Sequence, residues 1–301
     1  MNPERFLKGC AGIVANVSKP HATEATRSVL LALDRCGMRW QLEAATASAL
    51  RAPGGGLPLE QLVRSVNWLV VIGGDGTILQ AARATVDHDL PILGVNPGQS
   101  LGLMTDTPVA DLVGTLDDVR HGHCAVIERA MLRAELHIGE SCTPMPPALN
   151  DVVFLHGGHA RLIVLNVQIN DEFLTTYAAD GLIVATATGS TAHSMSAGGP
   201  ILFPTTDAMV LTPICPHTLT NRPIILPRGF RLDISLGEPR RAVQVAVDGQ
   251  TTHALTATEH VVVQLDQRVT RFINSMRHSF CEMLREKLHW RGDLKVDHAT
   301  E

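Results

Sequence analysis

Asp75 stands among three glycines in Val71-Ile-Gly-Gly-Asp-Gly-Thr77, a lone carboxylate in a turn almost stripped of side chains. Before it, Trp68-Leu-Val-Val-Ile72 is a β-branched, apolar run of the length of one buried parallel strand. After it, Thr77 to Ala84 has the composition and apolar spacing of an amphipathic helix. A strand, a glycine turn and a helix N-terminus gather backbone N–H groups and the positive end of a helix dipole around one point. Such a point attracts phosphate. A carboxylate beside a polyphosphate is repelled unless it handles a proton or a Mg²⁺ ion, so the chemistry indicated is phosphoryl transfer. The competing reading is a structural tight turn. A β-hairpin does not fit, because the downstream flank is helical.

This turn lacks the Lys-Ser/Thr ending of a P-loop and the third glycine of the dinucleotide-binding pattern. Lysine is confined to Lys8, Lys19, Lys287 and Lys295, so backbone amides, arginine and metal are expected to meet phosphate charge.

A second constellation runs from Asp180 to Ile201. Leu182 to Ala185 predicts a buried strand, Thr188-Gly-Ser-Thr191 a hydroxyl-rich turn, and Ala192 to Ala197 the start of a helix. Small side chains leave room for a ligand, and hydroxyls with free amides supply hydrogen bonds. A Ser/Thr-rich helix cap is the alternative. The serine-hydrolase elbow is excluded, since Gly189-Ser190-Thr191 lacks its second glycine. A third constellation is Asn150-Asp151 ahead of Val152-Val-Phe154, at the mouth of a strand. An amide beside a carboxylate suits the vicinal hydroxyls of a ribose; a plain turn is the simpler reading of the pair by itself.

The elements that must position these residues fall into two patterns. Up to about residue 125, strands (Gly12–Asn16, Trp68–Ile72, Pro91–Asn96) alternate with helices (Ala22–Cys36, Thr77 onward, and one opened by Thr107-Pro108), which implies a parallel, layered α/β sheet. Beyond it, apolar residues alternate with polar ones at Leu165–Ile169, Phe230–Leu236, Val243–Val247 and Val261–Leu265, which implies antiparallel sheets with one solvated face. Phe272 to Trp290 reads as a helix returning to the first domain. The division expected is 1–125 (α/β), 126–271 (β-rich) and 272–301 (returning segment).

A chain of 301 residues suits two domains, and a formal net charge of -5 argues against nucleic acid or an anionic membrane as partner. No apolar run approaches a membrane span, no signal peptide opens the chain, and cytoplasmic residence is expected. Six scattered cysteines suggest reduced thiols. His121-Gly-His123 and His156-Gly-Gly-His159 lack a supporting carboxylate and read as loop residues, so no protein-held metal site is assigned.

Together the segments resemble the NAD kinases. The resemblance rests on Gly73-Gly-Asp-Gly-Thr77, Asn150-Asp151, Asp180-Gly-Leu through Ser190-Thr-Ala-His-Ser-Met-Ser-Ala-Gly-Gly-Pro200, Pro216-His-Thr-Leu-Thr-Asn-Arg-Pro223 and Val247-Asp-Gly-Gln250, in that order over residues 68 to 275. The Gly-Gly-Asp-Gly-Thr block alone is shared with lipid kinases of the diacylglycerol type and, loosely, with phosphofructokinases. The 180–200 block is far more specific. The resemblance implies a Rossmann-like, phosphofructokinase-like α/β domain, a β-rich NAD-binding domain, and a homo-oligomer, dimer or tetramer, in which a neighbouring subunit commonly completes the site.

It further implies Asp75 as general base on the adenosine ribose 2′-hydroxyl, with Gly73, Gly74, Gly76 and Thr77 around the donor phosphates. Asn150 and Asp151 would hold the ribose. Asp180, Gln250 and Arg161 would orient the dinucleotide, and Thr191, Ala192, His193, Ser194, Met195 and Ser196 would line its pocket. ATP would be the donor, NAD the acceptor, and Mg²⁺ would ride on the donor's phosphates. Asp151 stands where the family usually has Glu, His193 where it has Tyr, Ala187 where it has Pro, and Leu103 where it has Phe. Ala178 occupies a position where some members carry Arg, and the space it leaves near the nicotinamide end predicts tolerance of NADH as acceptor. Two other readings are a lipid kinase, which needs an apolar acceptor groove, and a nucleotide-binding regulator without catalysis, which has no use for Asp75.

Overall fold

The computed structural model describes residues 9–19, 21–98, 103–157, 162–218, 220–238 and 242–290. The chain divides into two compact units: Met1–Ile78 with Pro91–Val126 and Ile273–Glu301, and Leu79–Leu90 with Ile127–Phe272.

In the first unit, β1 (Cys10–Ala15), β2 (Arg39–Leu42), β3 (Trp68–Ile72) and β4 (Pro91–Asn96) form a parallel sheet in the order β4-β3-β1-β2. All five residues of β3 are buried, as a strand covered on both faces requires. Trp68, at the head of β3, is only 1% exposed and joins Ile13, Val70, Ile72, Leu93 and Leu116 in the core. The helix Ala22–Arg35 buries Ala25, Val29 and Leu33 and ends before Gly37, whose φ of 66 terminates it.

Two boundaries differ from the sequence pattern. Thr107-Pro108 is a short strand, β5, paired with Val95 and Asn96, and the α-helix proper runs Leu112–Arg120 after a 3₁₀ turn. At the C-terminus the helix is Phe280–Lys287 rather than a span from Phe272. The residues before it continue a strand to Asn274, and Ser279 and Glu282 close a capping box that fixes the true start. That helix buries Met283 and Leu284, and the segment leading to it is tied to the first unit by Arg277 with Asp118 and His278 with Asp111.

The second unit is antiparallel throughout. Its first hairpin pairs β6 (Ala125–Ile138) with β7 (Ser141–Pro144). β8 (Asp151–His156), β9 (Ile163–Ile169), β10 (Glu172–Ala179), β11 (Gly181–Thr186), β12 (Ala208–Ile214) and β13 (Ile224–Pro227) follow, then β14 (Arg231–Leu236), β15 (Val243–Val247), β16 (Thr251–Leu255) and β17 (Glu259–Asn274). One sheet runs β13-β12-β11-β8-β15-β16; in the other, β10-β9-β14-β17 lie in order and β6 pairs with both β17 and β7. The alternating residues do what period two demands: Leu165, Val167, Leu232, Ile234, Val243, Val245, Val261 and Val263 all point into one core with Phe154 and Tyr177. No helix among the described residues is long and apolar enough to cross a membrane.

Candidate nucleotide site

Each unit carries its own cluster of candidate residues. In the first, β3 delivers the chain to Gly73 and Gly74, and the helix runs Asp75–Thr85. It starts two residues earlier than the apolar spacing suggested, because the Gly74 carbonyl already accepts from the amides of Thr77 and Ile78. Asp75 is therefore the first helical residue, partly exposed, at the end where the dipole is positive. Gly73 is required sterically, since a Cβ there would overlap Thr77 Oγ1. That hydroxyl is buried and has no hydrogen-bond partner in the protein.

Lysine proves not to be absent from the turn. Lys19 arches over it, so that a Cβ built on Gly74 would lie 2.5 Å from its Nζ. Lys287, from the C-terminal helix, places Nζ 3.7 Å from Asp75 Oδ2. Two of the four lysines thus converge on the glycine turn, from positions that sequence spacing could not connect. Lys8 and Lys295 lie outside the described residues.

In the second unit the other two constellations form one structure around Asp248, which lies in the Val247-Asp-Gly-Gln250 motif without a role assigned by it. Its carboxylate accepts from the amides of Leu149 at 3.0 Å, Asn150 at 2.8 Å and Asp151 at 3.1 Å. Its own amide donates back to the Asp151 carbonyl at 2.9 Å. Asp248 holds a left-handed conformation, φ 48, at the turn between β15 and β16. β8 is the common neighbour of β11 and β15, so the starts of β8 and the end of β11 arrive at the same place.

There the Thr186 hydroxyl donates to the Leu149 carbonyl at 2.6 Å and accepts from the Gly189 amide at 3.0 Å. Gly189 packs so closely that a Cβ would overlap the Asn150 carbonyl oxygen, which explains a glycine inside the hydroxyl-rich turn. The Asn150 side-chain oxygen is left buried with no partner in the protein. A buried acceptor of that kind is costly unless something donates to it. Beside it, burial first and the neighbouring Asp248 second push the Asp151 carboxyl up to about 7. Burial raises Asp248 too, against the three amide donors and Arg83.

The remaining predicted residues are placed unevenly. Thr191 and Ala192 lie at the end of the 3₁₀ turn Gly189–Thr191, and His193 and Ser196 are exposed on the single helical turn His193–Ser196 with Met195 half-buried. Ser194 is different: it is fully buried, its hydroxyl shares a 2.9 Å hydrogen bond with Thr212, and its side chain therefore serves packing rather than a pocket wall. Gln250 is engaged by Arg83, whose guanidinium donates to Oε1. Ala178 and Asp180 flank the turn from β10 into β11, where the amide of His217 donates to the Ala178 carbonyl at 2.9 Å. Arg161 lies outside the described residues, as does His159.

Besides Asp248, the structure adds Arg83 and a buried Arg129, which sits over the Phe272 ring at 5.1 Å and reaches Thr188 Oγ1 at 3.5 Å. Neither arginine has a local signal, and the Val247-Asp-Gly-Gln250 motif does not reveal what Asp248 holds, because each acts on residues far away in sequence.

Residues 59–124 match the family model described as the ATP-NAD kinase N-terminal domain, and residues 149–275 match the ATP-NAD kinase C-terminal domain. The NAD kinase of Moorella thermoacetica is 37% identical over 289 residues, covering 95% of this chain and 91% of the relative. That of Geotalea daltonii is 41% identical over 231 residues, 77% of this chain and 81% of the relative. Among solved structures, yeast NADH kinase complexed with NADH superposes with a TM-score of 0.84 at 25% identity, covering 95% of this chain and 89% of that one. An NAD kinase from Archaeoglobus fulgidus in complex with ATP shares the fold at a TM-score of 0.72 and 22% identity, over 93% of this chain and 97% of that one. The chain belongs to the NAD kinase family.

Proposed function

We propose that the protein transfers the γ-phosphoryl group of ATP to the adenosine ribose 2′-hydroxyl of NAD, giving NADP and ADP. The observation that carries the reading is Asp75 at a glycine-cradled helix N-terminus with two lysine ammonium groups at the same turn. Asp75 takes the proton of the 2′-hydroxyl as the oxygen attacks phosphorus in line, and Lys19 and the amides of the turn offset the charge of the departing diphosphate. Asn150 Oδ1 and ionised Asp151 offer acceptors for the ribose 3′-hydroxyl, which leaves the 2′-hydroxyl proton to the base. Mg²⁺ bound with the donor would supply neutralisation of the phosphate oxygens.

The direct test is incubation of the purified chain with NAD, ATP and Mg²⁺, with NADP detected through an NADP-specific dehydrogenase. NADP formation establishes the reaction. NAD binding without NADP moves the donor to polyphosphate or another nucleotide, and absence of NAD binding opens the lipid-kinase alternative.

Lys19→Ala is expected to raise the KM for ATP by roughly tenfold, the worth of about 1.4 kcal/mol from one charge-assisted contact, with little change in the KM for NAD. Equal effects on both substrates would remove Lys19 from the donor site. For the acceptor, the small side chain at Ala178 leads us to expect measurable NADH phosphorylation. A rate with NADH below roughly one percent of that with NAD, about 2.7 kcal/mol of discrimination, would sink that expectation. We further read the enzyme as a cytoplasmic homo-oligomer. Its thiols are free, and the edge strand β10 presents exposed Phe173 and Leu174, a surface suited to a second copy. Light scattering on the eluting peak would give a single-chain mass if this assembly does not form.

A further inference from the structure

The β6–β7 hairpin carries a second concentration of chemistry. Glu135 and His137 are two residues apart on β6, so their side chains leave the same face of the strand. The intervening Leu136 and the preceding Ala134 are buried in the core on the other face. Across the hairpin, His137 pairs directly with Cys142 of β7. Directly opposed residues hold their Cβ atoms within about 5.5 Å, close enough for both to reach one small ion. One ligating atom from each of Glu135, His137 and Cys142 lies within 4.8 Å of the other two, and among the described residues these form the only such group of three.

The surroundings orient the set. Arg133 donates to Glu135 Oε1 from Nε at 3.0 Å and Nη2 at 2.6 Å, which leaves Oε2 turned toward His137, 3.8 Å from its Nε2. That Nε2 atom is buried and makes no hydrogen bond in the protein. On the adjoining strand β17, His260 stacks on the His137 ring with centroids 5.0 Å apart and planes 16° from parallel. Asp233 in turn lies 3.5 Å from His260 Nε2. Sulfur, nitrogen and oxygen ligands, with a carboxylate already oriented by an arginine, form a mixed set. Calcium and magnesium prefer oxygen alone. Zinc takes a thiolate, an imidazole and a carboxylate at about 2.0–2.3 Å, and its tetrahedral shell needs ligand separations somewhat below those seen here. Cys142 is exposed and Glu135 half-buried, so side-chain rotation alone can close them.

We propose that Glu135, His137 and Cys142 form a binding site for a zinc-class divalent ion, with the fourth position open to water or to His260. The site would fasten β7, a strand of four exposed residues whose partner is β6. It would do so independently of phosphoryl transfer, because none of its ligands belongs to the nucleotide site.

The test uses the full-length, reduced, chelator-stripped protein titrated with Co²⁺ as the spectroscopic probe. The expected result is a thiolate-to-cobalt charge-transfer band with tetrahedral ligand-field absorption, saturating at one ion per chain and displaced by Zn²⁺. Cys142→Ser should abolish the charge-transfer band and leave NADP formation unchanged. His137→Ala should weaken Co²⁺ binding by at least about tenfold. Absence of a charge-transfer band in the parent would overturn the proposal. So would a band of equal amplitude in Cys142→Ser, which would trace it to the exposed Cys215 or Cys281. Since Cys142 is on the surface, its serine variant remains folded and the test stands even if the histidine variant does not fold.

Discussion

Replacing Asp75 with asparagine is expected to lower kcat by roughly 10²–10⁴-fold, the range that removal of a positioned general base produces. NAD binding and thermal stability should stay near those of the parent. Shape and hydrogen-bond reach are preserved in the variant; the ability to accept a proton is not. Stability should hold because the Asp75 and Lys287 side chains are both somewhat more than a third exposed, and an ion pair in that setting contributes little. Calorimetric NAD titration beside initial rates separates the outcomes. Parallel loss of binding and turnover would make Asp75 a binding residue, and near-parental turnover would remove it from the reaction.

Asp248→Ala is expected to be the most damaging single change in the second unit. It strands the amides of Leu149, Asn150 and Asp151, all buried, each at about 1–3 kcal/mol. Several kcal/mol is a large part of the roughly 5–15 kcal/mol that holds a native protein folded. The urea midpoint followed by circular dichroism should fall markedly and NAD affinity with it. Asp248→Asn keeps an acceptor oxygen and should fold. An unchanged midpoint in the alanine variant would mean that the three amides find other partners.

The asparagine variant also tests the charge next door. Three amide donors favour the charged form of Asp248, so the proton of the buried pair resides on Asp151, whose carboxyl is raised from 3.8 to about 7. Between those values the folded state holds a proton that the unfolded state has released. Stability therefore falls as pH rises across this window, by up to about 1.4 kcal/mol per pH unit, and levels off above it. NAD affinity should move the opposite way, strengthening as Asp151 ionises and becomes a better acceptor for a ribose hydroxyl. With Asp248→Asn both midpoints should shift to lower pH, though not to the ordinary value, because burial is the larger cause. Profiles unchanged by the substitution would dissociate the two carboxyls.

What could be read in advance was local. The run Trp68–Ile72 and the glycines after it announce strand and turn because β-branching and missing side chains act on the nearest residues. The alternation at Leu165, Val167 and Ile169 announces a strand for the same reason. The helix starts two residues before its apolar spacing predicts, because the Gly74 carbonyl, not a side chain, closes its first turn. The composition of Phe272–Asn274 suits helix and strand alike, and its place at the end of β17 decides for strand. Asn150 and Asp151 were found by their adjacency, whereas Asp248, which holds them, sits about a hundred residues away. Lys19 and Lys287 reach one turn from opposite ends of the chain, and Arg83 meets Gln250 across 167 positions. Pairings of this kind belong to the fold and leave no pattern in the sequence.

The placement of the aromatic residues gives each half of the molecule its own optical signature. Trp40, Trp68 and Trp290 are the only tryptophans and all belong to the first unit, whereas Tyr177, the only tyrosine, belongs to the second. Emission excited selectively in indole therefore follows the glycine-turn unit alone, and Trp68, enclosed at the head of the strand that leads to Asp75, should dominate its red shift on unfolding. Circular dichroism averages over both units, so it also registers the loss of the strand-rich second unit. A nucleotide that engages one half more than the other will separate the two melting curves, and the sequence supplies the reporters without a label.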